Sequence, residues 1–275
     1  MNRDDNRTIG RRVSRRNLLE KSAYTLAALT AAPWLASCAP IGDESDDTLD
    51  ESFGALGPLA QVKLPKRVAG IRIPDTRLAV AAADLAFTVS PANLYNHCLR
   101  TYLFAALVFE KSGVQFDEEL TFVSSALHDL GLVDEYMTPN ERFEVDGADA
   151  ALRFLKRFRL SSAKTEIVWD AIALHTAVGI AARKRPEIAA VSIGAGLDTV
   201  GMGLAELDPA DVAAVLAVYP RLDFKKEAIA SIIRMCEKKP AATVMTPLAE
   251  VGRKHIPNYP VPTLDESIAS SPFLE

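Results

Sequence analysis

From Asp75 to about residue 253, apolar side chains recur at helical spacing, drawn largely from Ala and Leu, and Gly and Pro fall mostly between the apolar segments. Nowhere does a run of alternating β-branched residues reach the length a sheet needs. This pattern leaves an all-α domain as the fold class, and about 200 residues of it are enough for one sizeable core. The spacing predicts helices at about 75–88, 91–112, 117–130, 147–159, 162–179, 186–203, 209–218 and 223–238, with a last segment at 243–252. Several starts carry the chemistry a helix N-terminus needs: Ser90-Pro91, Asp117 with Glu118 and Glu119, and Asp208-Pro209. The tail from Lys254 to Glu275 holds Pro257, Pro260, Pro262 and Pro272 and reads as an extended surface segment.

Upstream of Asp75 the chain follows other rules. Arg3, Arg7, Arg11, Arg12, Arg15, Arg16 and Lys21 are answered only by Asp4, Asp5 and Glu20, and an apolar stretch of about fourteen residues follows, Ala23 to Ala36. That is far short of the roughly 20 residues a spanning helix needs. "SRRNLLEK" (Ser14 to Lys21) resembles a twin-arginine export signal, with Arg15 and Arg16 as the pair. It departs from the usual pattern at Leu18, where Phe is commoner, and at Glu20, where Lys is usual. "LASC" (Leu35 to Cys38) is similar to the bacterial lipobox, whose cysteine is lipidated. The two signals in this order imply an exported lipoprotein held by Cys38 at the periplasmic face of the envelope. Ala39 after the cysteine favours the outer membrane. Residues 1–37 then read as the signal, 38–74 as a polar, lipid-attached linker, 75–253 as the domain and 254–275 as the tail.

Taking away the seven basic and three acidic residues of 1–37 leaves 24 basic against 33 acidic groups, a net of about −9. Such a surface repels nucleic acid backbones, so no nucleic acid partner is expected. Contact with a membrane is expected through the N-terminal lipid alone. Cys98 and Cys236 remain besides Cys38; Cys98 lies in an apolar helical run and reads as a small buried residue.

Three of the four histidines fall in apolar helical text: His97 in "LYNHCLRTYLFAAL", His128 in "ALHDLG" and His175 in "IVWDAIALHTAVGIA". A lone histidine there is usually a hydrogen-bonded core residue, but three together point to a shared site. Asp129, next to His128, has no basic neighbour in the adjacent sequence, and Asp198 in "AAVSIGAGLDTVGMG" has no Lys or Arg within ten residues. A buried carboxylate is costly unless it is paired or bound to a metal. Successive helix residues point about 100° apart, so His128 and Asp129 cannot both meet an ion over the middle of one helix face. An ion in a groove between helices, with His97 and Asp198 supplied by two others, removes the difficulty.

His97, His128-Asp129 and Asp198, in that order, resemble the signature of the HD superfamily of metal-dependent hydrolases: a His, an adjacent His-Asp and a later Asp on an all-α scaffold. "NHCLRTYLFA", "ALHDLGL", "RFEVDGADAA", "WDAIALHTAVGIA" and "GAGLDTVG" resemble segments of its cyanamide hydratase-like branch, over roughly residues 75 to 240. The resemblance implies one divalent metal, zinc ahead of iron or manganese, on His97, His128, Asp129 and Asp198, with water in an open position. Such a metal brings the pKa of its water to around 7. Asp129 or a carboxylate near it then shuttles the proton. His175 is outside the signature; it either meets substrate or bound water, with Thr176 beside it, or is a satisfied core residue. Asn96 and Arg100 flank His97 as candidates for substrate binding, Arg100 also as a partner for Asp129. The acids of "EVDG" (Glu144 to Gly147) are expected to cap a helix.

The Leu, Ala and Ile around the candidate ligands predict a small apolar pocket and hence a small, mostly uncharged substrate, such as a nitrile or cyanamide, for a hydrolase or hydro-lyase. An HD phosphohydrolase acting on a phosphate ester or nucleotide is the alternative, mononuclear because only His175 is left to serve a second metal. A non-enzymatic metal-binding lipoprotein is the third reading.

Overall fold

The computed structural model describes residues 62–273; the export and lipidation motifs, Cys38 included, lie outside the described residues. Residues 62–259 fall in one unit and residues 260–273 in another. The first has helices as its regular structure apart from one hairpin of two-residue strands, β1 (Arg67–Val68) antiparallel to β2 (Ile71–Arg72). The segment read from sequence as linker is part of this unit from Val62 onward. Val68, Ile71 and Ile73 are buried in its core, and Tyr102 donates to the Arg72 carbonyl at 2.8 Å.

α1 (Arg77–Val89) starts at Thr76, whose side chain accepts from the Ala79 amide. α2 (Ala92–Ser112) is the axis of the core: every residue from Leu94 to Leu107 is buried, so it packs on all sides. The polar members of that stretch, Asn96, His97 and Arg100 among them, must find partners inside the protein. α3 (Glu118–Leu127) is capped by Asp117, as its sequence predicts. α4 (Phe143–Leu155) and α5 (Ser162–Ala173) pack together, α6 (Pro186–Val200) lies against α2, and α7 (Pro209–Val218), α8 (Phe224–Lys238) and α9 (Leu248–His255) complete the unit. Cys98 and Cys236 are both buried and free. No helix among the described residues is long and apolar enough to cross a membrane.

Two glycines set the spacing that matters. A Cβ on Gly194 of α6 would lie 2.0 Å from the Thr101 carbonyl oxygen of α2, so only glycine permits this crossing. Asp198 stands one turn after Gly194 and His97 one turn before Thr101, which brings the two within reach. A Cβ on Gly131 would lie 1.9 Å from the Phe143 carbonyl oxygen, which presses the turn after α3 against the start of α4.

The elements differ from the sequence expectation in three informative places. α3 ends at Leu127, so His128 is its C-cap and Asp129 lies beyond it at φ −102°, ψ 14°. α5 stops at Ala173 although apolar text continues: Val178 and Ile180 face solvent at 62 % and 63 % exposure, and Gly179 turns the chain at φ 82°. In the tail, expected to be extended, α10 (Leu264–Ala269) forms behind a capping box between Thr263 and Glu266, a sequence signature the prolines obscured.

Candidate active site

The end of α3 at Leu127 answers how adjacent His128 and Asp129 serve one point. Residue 128 keeps helical angles while residue 129 sits in the bridge region, so the two side chains converge instead of diverging by 100°. His97 comes to them from the buried middle of α2, and His175 from the turn just after α5.

Each imidazole is held in the same way. His97 Nδ1 lies 2.6 Å from Asp198 Oδ2, His128 Nδ1 2.8 Å from the Ser125 carbonyl, and His175 Nδ1 2.7 Å from the Ile172 carbonyl. All three partners only accept, so each Nδ1 carries a hydrogen and each Nε2 points away from that partner. The three Nε2 atoms turn towards one carboxylate: His97 Nε2 is 3.5 Å and His128 Nε2 3.3 Å from Asp129 Oδ2, and His175 Nε2 is 3.8 Å from Oδ1. These groups meet in a buried place, and His128 Nε2 has no hydrogen-bond partner there.

A cation would satisfy that nitrogen and the carboxylate beside it. His97, His128 and Asp129 offer ligand atoms that all lie within 4.8 Å of one another. Bonds of about 2.0–2.1 Å at tetrahedral angles separate ligand atoms by about 3.3–3.4 Å. The two histidine-to-Asp129 separations given above match that spacing, so the residues fit a divalent metal bound by nitrogen and oxygen.

The electrostatics agree. Burial, and then the neighbouring His97, lowers the His128 pKa to about 3, and burial followed by His128 lowers that of His175 to about 4. Burial raises the Asp129 carboxyl against the pull of His97 and His175. Both imidazoles are thus neutral, as ligands or bases must be, and a bound cation would oppose the effect of burial on the Asp129 carboxyl.

Asp198 is brought to His97 but to its far side. Its Oδ1 accepts from Arg100 Nε at 2.8 Å and Arg221 Nη1 at 2.7 Å, and its Oδ2 from Arg100 Nη2 at 2.8 Å as well as from His97. Burial alone would raise its pKa; the hydrogen bonds from His97 and Arg100 win and hold it well below the usual carboxylate range. Arg100, expected to meet Asp129 or substrate, is wholly buried, and its Nη1 donates to the Tyr219 and Pro220 carbonyls, both at 3.1 Å. Asn96, another candidate for substrate, donates to the same Pro220 carbonyl at 2.9 Å. These two residues hold the turn before α8 because a buried guanidinium or amide must be satisfied. Thr176 donates to Glu144 instead of facing the cluster.

Several residues at the site are given no part in its chemistry by the sequence. Phe224 stacks on His97 with ring centroids 4.6 Å apart, and Arg221 lies 5.0 Å from the same ring. Phe143 meets His175 edge to face at 5.5 Å. Glu144 is buried beside His175 and pairs with Arg142 at 2.6 Å; its hydrogen bonds to Arg142 and Thr176 overcome the cost of burial and lower its pKa. A buried acid in the first turn of α4 was legible in "RFEVDG", but only as a cap. Arg221 stands between two helices where periodicity carries no signal, and Phe224 is the first residue of α8.

A search among curated proteins finds no match to the chain. The HD domain family matches residues 94–223, a span that contains His97, His128, Asp129, His175 and Asp198. Residues 94–223 are therefore similar to the HD domain, an all-α domain of metal-dependent hydrolases, and within that span His97, His128 and Asp129 converge on one buried point.

Proposed function

We propose that this protein is a metal-dependent hydrolase or hydro-lyase acting on a small, mostly uncharged molecule of the nitrile or cyanamide class. The observation that carries the reading is the convergence of the Nε2 atoms of His97 and His128 on Asp129, His128 Nε2 having no hydrogen-bond partner. His97, His128 and Asp129 would hold one divalent ion, zinc ahead of iron or manganese. Such an ion supplies Lewis acidity and brings the pKa of a bound water to about 7.

This chain's residues divide the remaining work. His175 Nε2 stands as a neutral acceptor 3.8 Å from Asp129 Oδ1, able to take a proton from the attacking water. In nitrile hydration the water oxygen bonds to the nitrile carbon and one C–N π bond opens. The proton taken at His175 Nε2 is then returned to the nitrile nitrogen. Phe143 and Phe224 cover the imidazoles and keep bulk water from them.

Charge argues for a neutral substrate. Arg100 and Arg221 are both bound to Asp198, and Arg142 is bound to Glu144, so every guanidinium named at the site is already paired. The phosphate-ester alternative rests on Arg142, whose side chain is 44 % exposed and would have to exchange Glu144 for the ester. We further propose that the protein is exported and lipidated at Cys38, on the strength of the N-terminal motifs. The test is metal analysis of the full-length protein, followed by turnover assays on nitriles, cyanamide, amides and phosphate esters. One metal per chain and turnover of a nitrile-class substrate is the expected result. Turnover of phosphate esters alone would select the alternative, and bound metal with no turnover would point to a binding protein.

A further inference from the structure

We infer that Asp198 is not a metal ligand in this chain but the positioning residue for His97, and that the protein supplies the metal with three side chains, not four. The inference rests on the metal reading above and departs from the four-ligand signature that its sequence resembles. An ionised carboxylate has about four lone-pair directions. Asp198 has all of them taken: Oδ1 by Arg100 Nε and Arg221 Nη1, Oδ2 by Arg100 Nη2 and His97 Nδ1, at 2.6–2.8 Å. Its side chain is wholly buried, so no water competes for it. An ion on either oxygen would also stand against two guanidinium groups already within hydrogen-bond distance of that oxygen pair, a like-charge contact with little solvent to screen it.

What Asp198 does instead follows from the atom it meets. By accepting from Nδ1 it locks His97 in the tautomer whose Nε2 lone pair faces Asp129 and fixes the ring's orientation, the carboxylate–histidine arrangement common behind metal ligands. The remaining supports belong to one turn. Tyr219 and Pro220 are pinned to α2 by Arg100 and Asn96. Leu222 and Asp223 then take left-handed φ values of 48° and 59°, a strained pair for residues with side chains. That pair returns Arg221 to Asp198 and Phe224 to the face of His97. The same turn thus fixes both the carboxylate and the ring it holds. With three protein ligands the metal keeps an open position, the pattern of catalytic and not structural sites.

A crystal structure of the zinc-loaded full-length protein tests this without any variant. The expected result is zinc on His97 Nε2, His128 Nε2 and Asp129, with Asp198 still on His97 Nδ1; an Asp198 oxygen within about 2.2 Å of zinc overturns it. Zinc affinity gives the second readout. Asp198→Asn retains an acceptor for Nδ1–H and is expected to keep one zinc per chain with affinity weakened about 10- to 100-fold. Asp198→Ala lacks that acceptor and should weaken it further, while His128→Ala should lose the metal. Nitrogen-15 NMR of His97 should show Nδ1 protonated in the wild type and in Asp198→Asn. Loss of zinc from Asp198→Asn equal to that from His128→Ala overturns the inference alone; absence of zinc from the wild type overturns the metal reading beneath it.

Discussion

His97 and His175 look at the same carboxylate from different kinds of support. His97 lies in the middle of a helix buried on every side, with an ionised carboxylate behind Nδ1 and an aromatic ring on its face. His175 hangs from the end of α5 by one carbonyl hydrogen bond, with Phe143 edge to face against its ring, and the chain beyond it runs out through exposed Val178 and Ile180. The first arrangement suits an atom that must stay fixed for a metal. The second suits an atom that must meet a molecule arriving from outside.

The sharpest way to break this comparison is to remove each ring. His97→Ala should lose the metal and all activity, while His175→Ala should keep one metal per chain and lose activity by about 10²- to 10⁴-fold. Elemental analysis beside a rate assay separates the two, and metal loss from both would erase the distinction. Next in size is Arg100→Ala, which strips Asp198 of a bidentate partner inside the core. Breaking a buried pair costs about 3–5 kcal/mol, and calorimetry should show Tm falling by about 10 °C.

The metal-free protein should also be sensitive to acid. An unfolded imidazole takes a proton near pH ~6.5, whereas His128 and His175 resist protonation until about 3 and about 4. Unfolding therefore binds protons in that window, and stability should fall as pH drops from about 6.5 to 4, by roughly 3–5 kcal/mol in total. Denaturant titrations at several pH values measure it; a flat profile would mean that the imidazoles are not buried neutral. The smallest effect belongs to the exposed rim of the His175 side. Arg142→Ala leaves Glu144 with Thr176 and should cost about 1 kcal/mol, with metal content unchanged. A larger loss would mean that this side is braced as firmly as the other.

Much of this was legible in the chain. The helices of the core, the Asp117 cap and the grouping of His97, His128 and Asp129 follow from periodicity, capping chemistry and the cost of burying a carboxylate. Helix ends were not, because apolar residues continue past Leu127 and Ala173 and periodicity has no term for a turn that the neighbouring α4 imposes. Asp198 was read correctly as a buried carboxylate that must have a partner. Its arginine partners were not legible, since Arg221 lies 23 residues away and Arg100 98 residues away in sequence.

The sequence by itself determined the all-α class, the supply of imidazole and carboxylate groups, and the need for each to be satisfied, because these depend on side-chain chemistry and local spacing. Only the tertiary structure decided which atom faces which. Gly194 lets two helices touch, and that contact places Asp198 behind His97 and not beside it. The end of α3 then turns two adjacent residues onto one point.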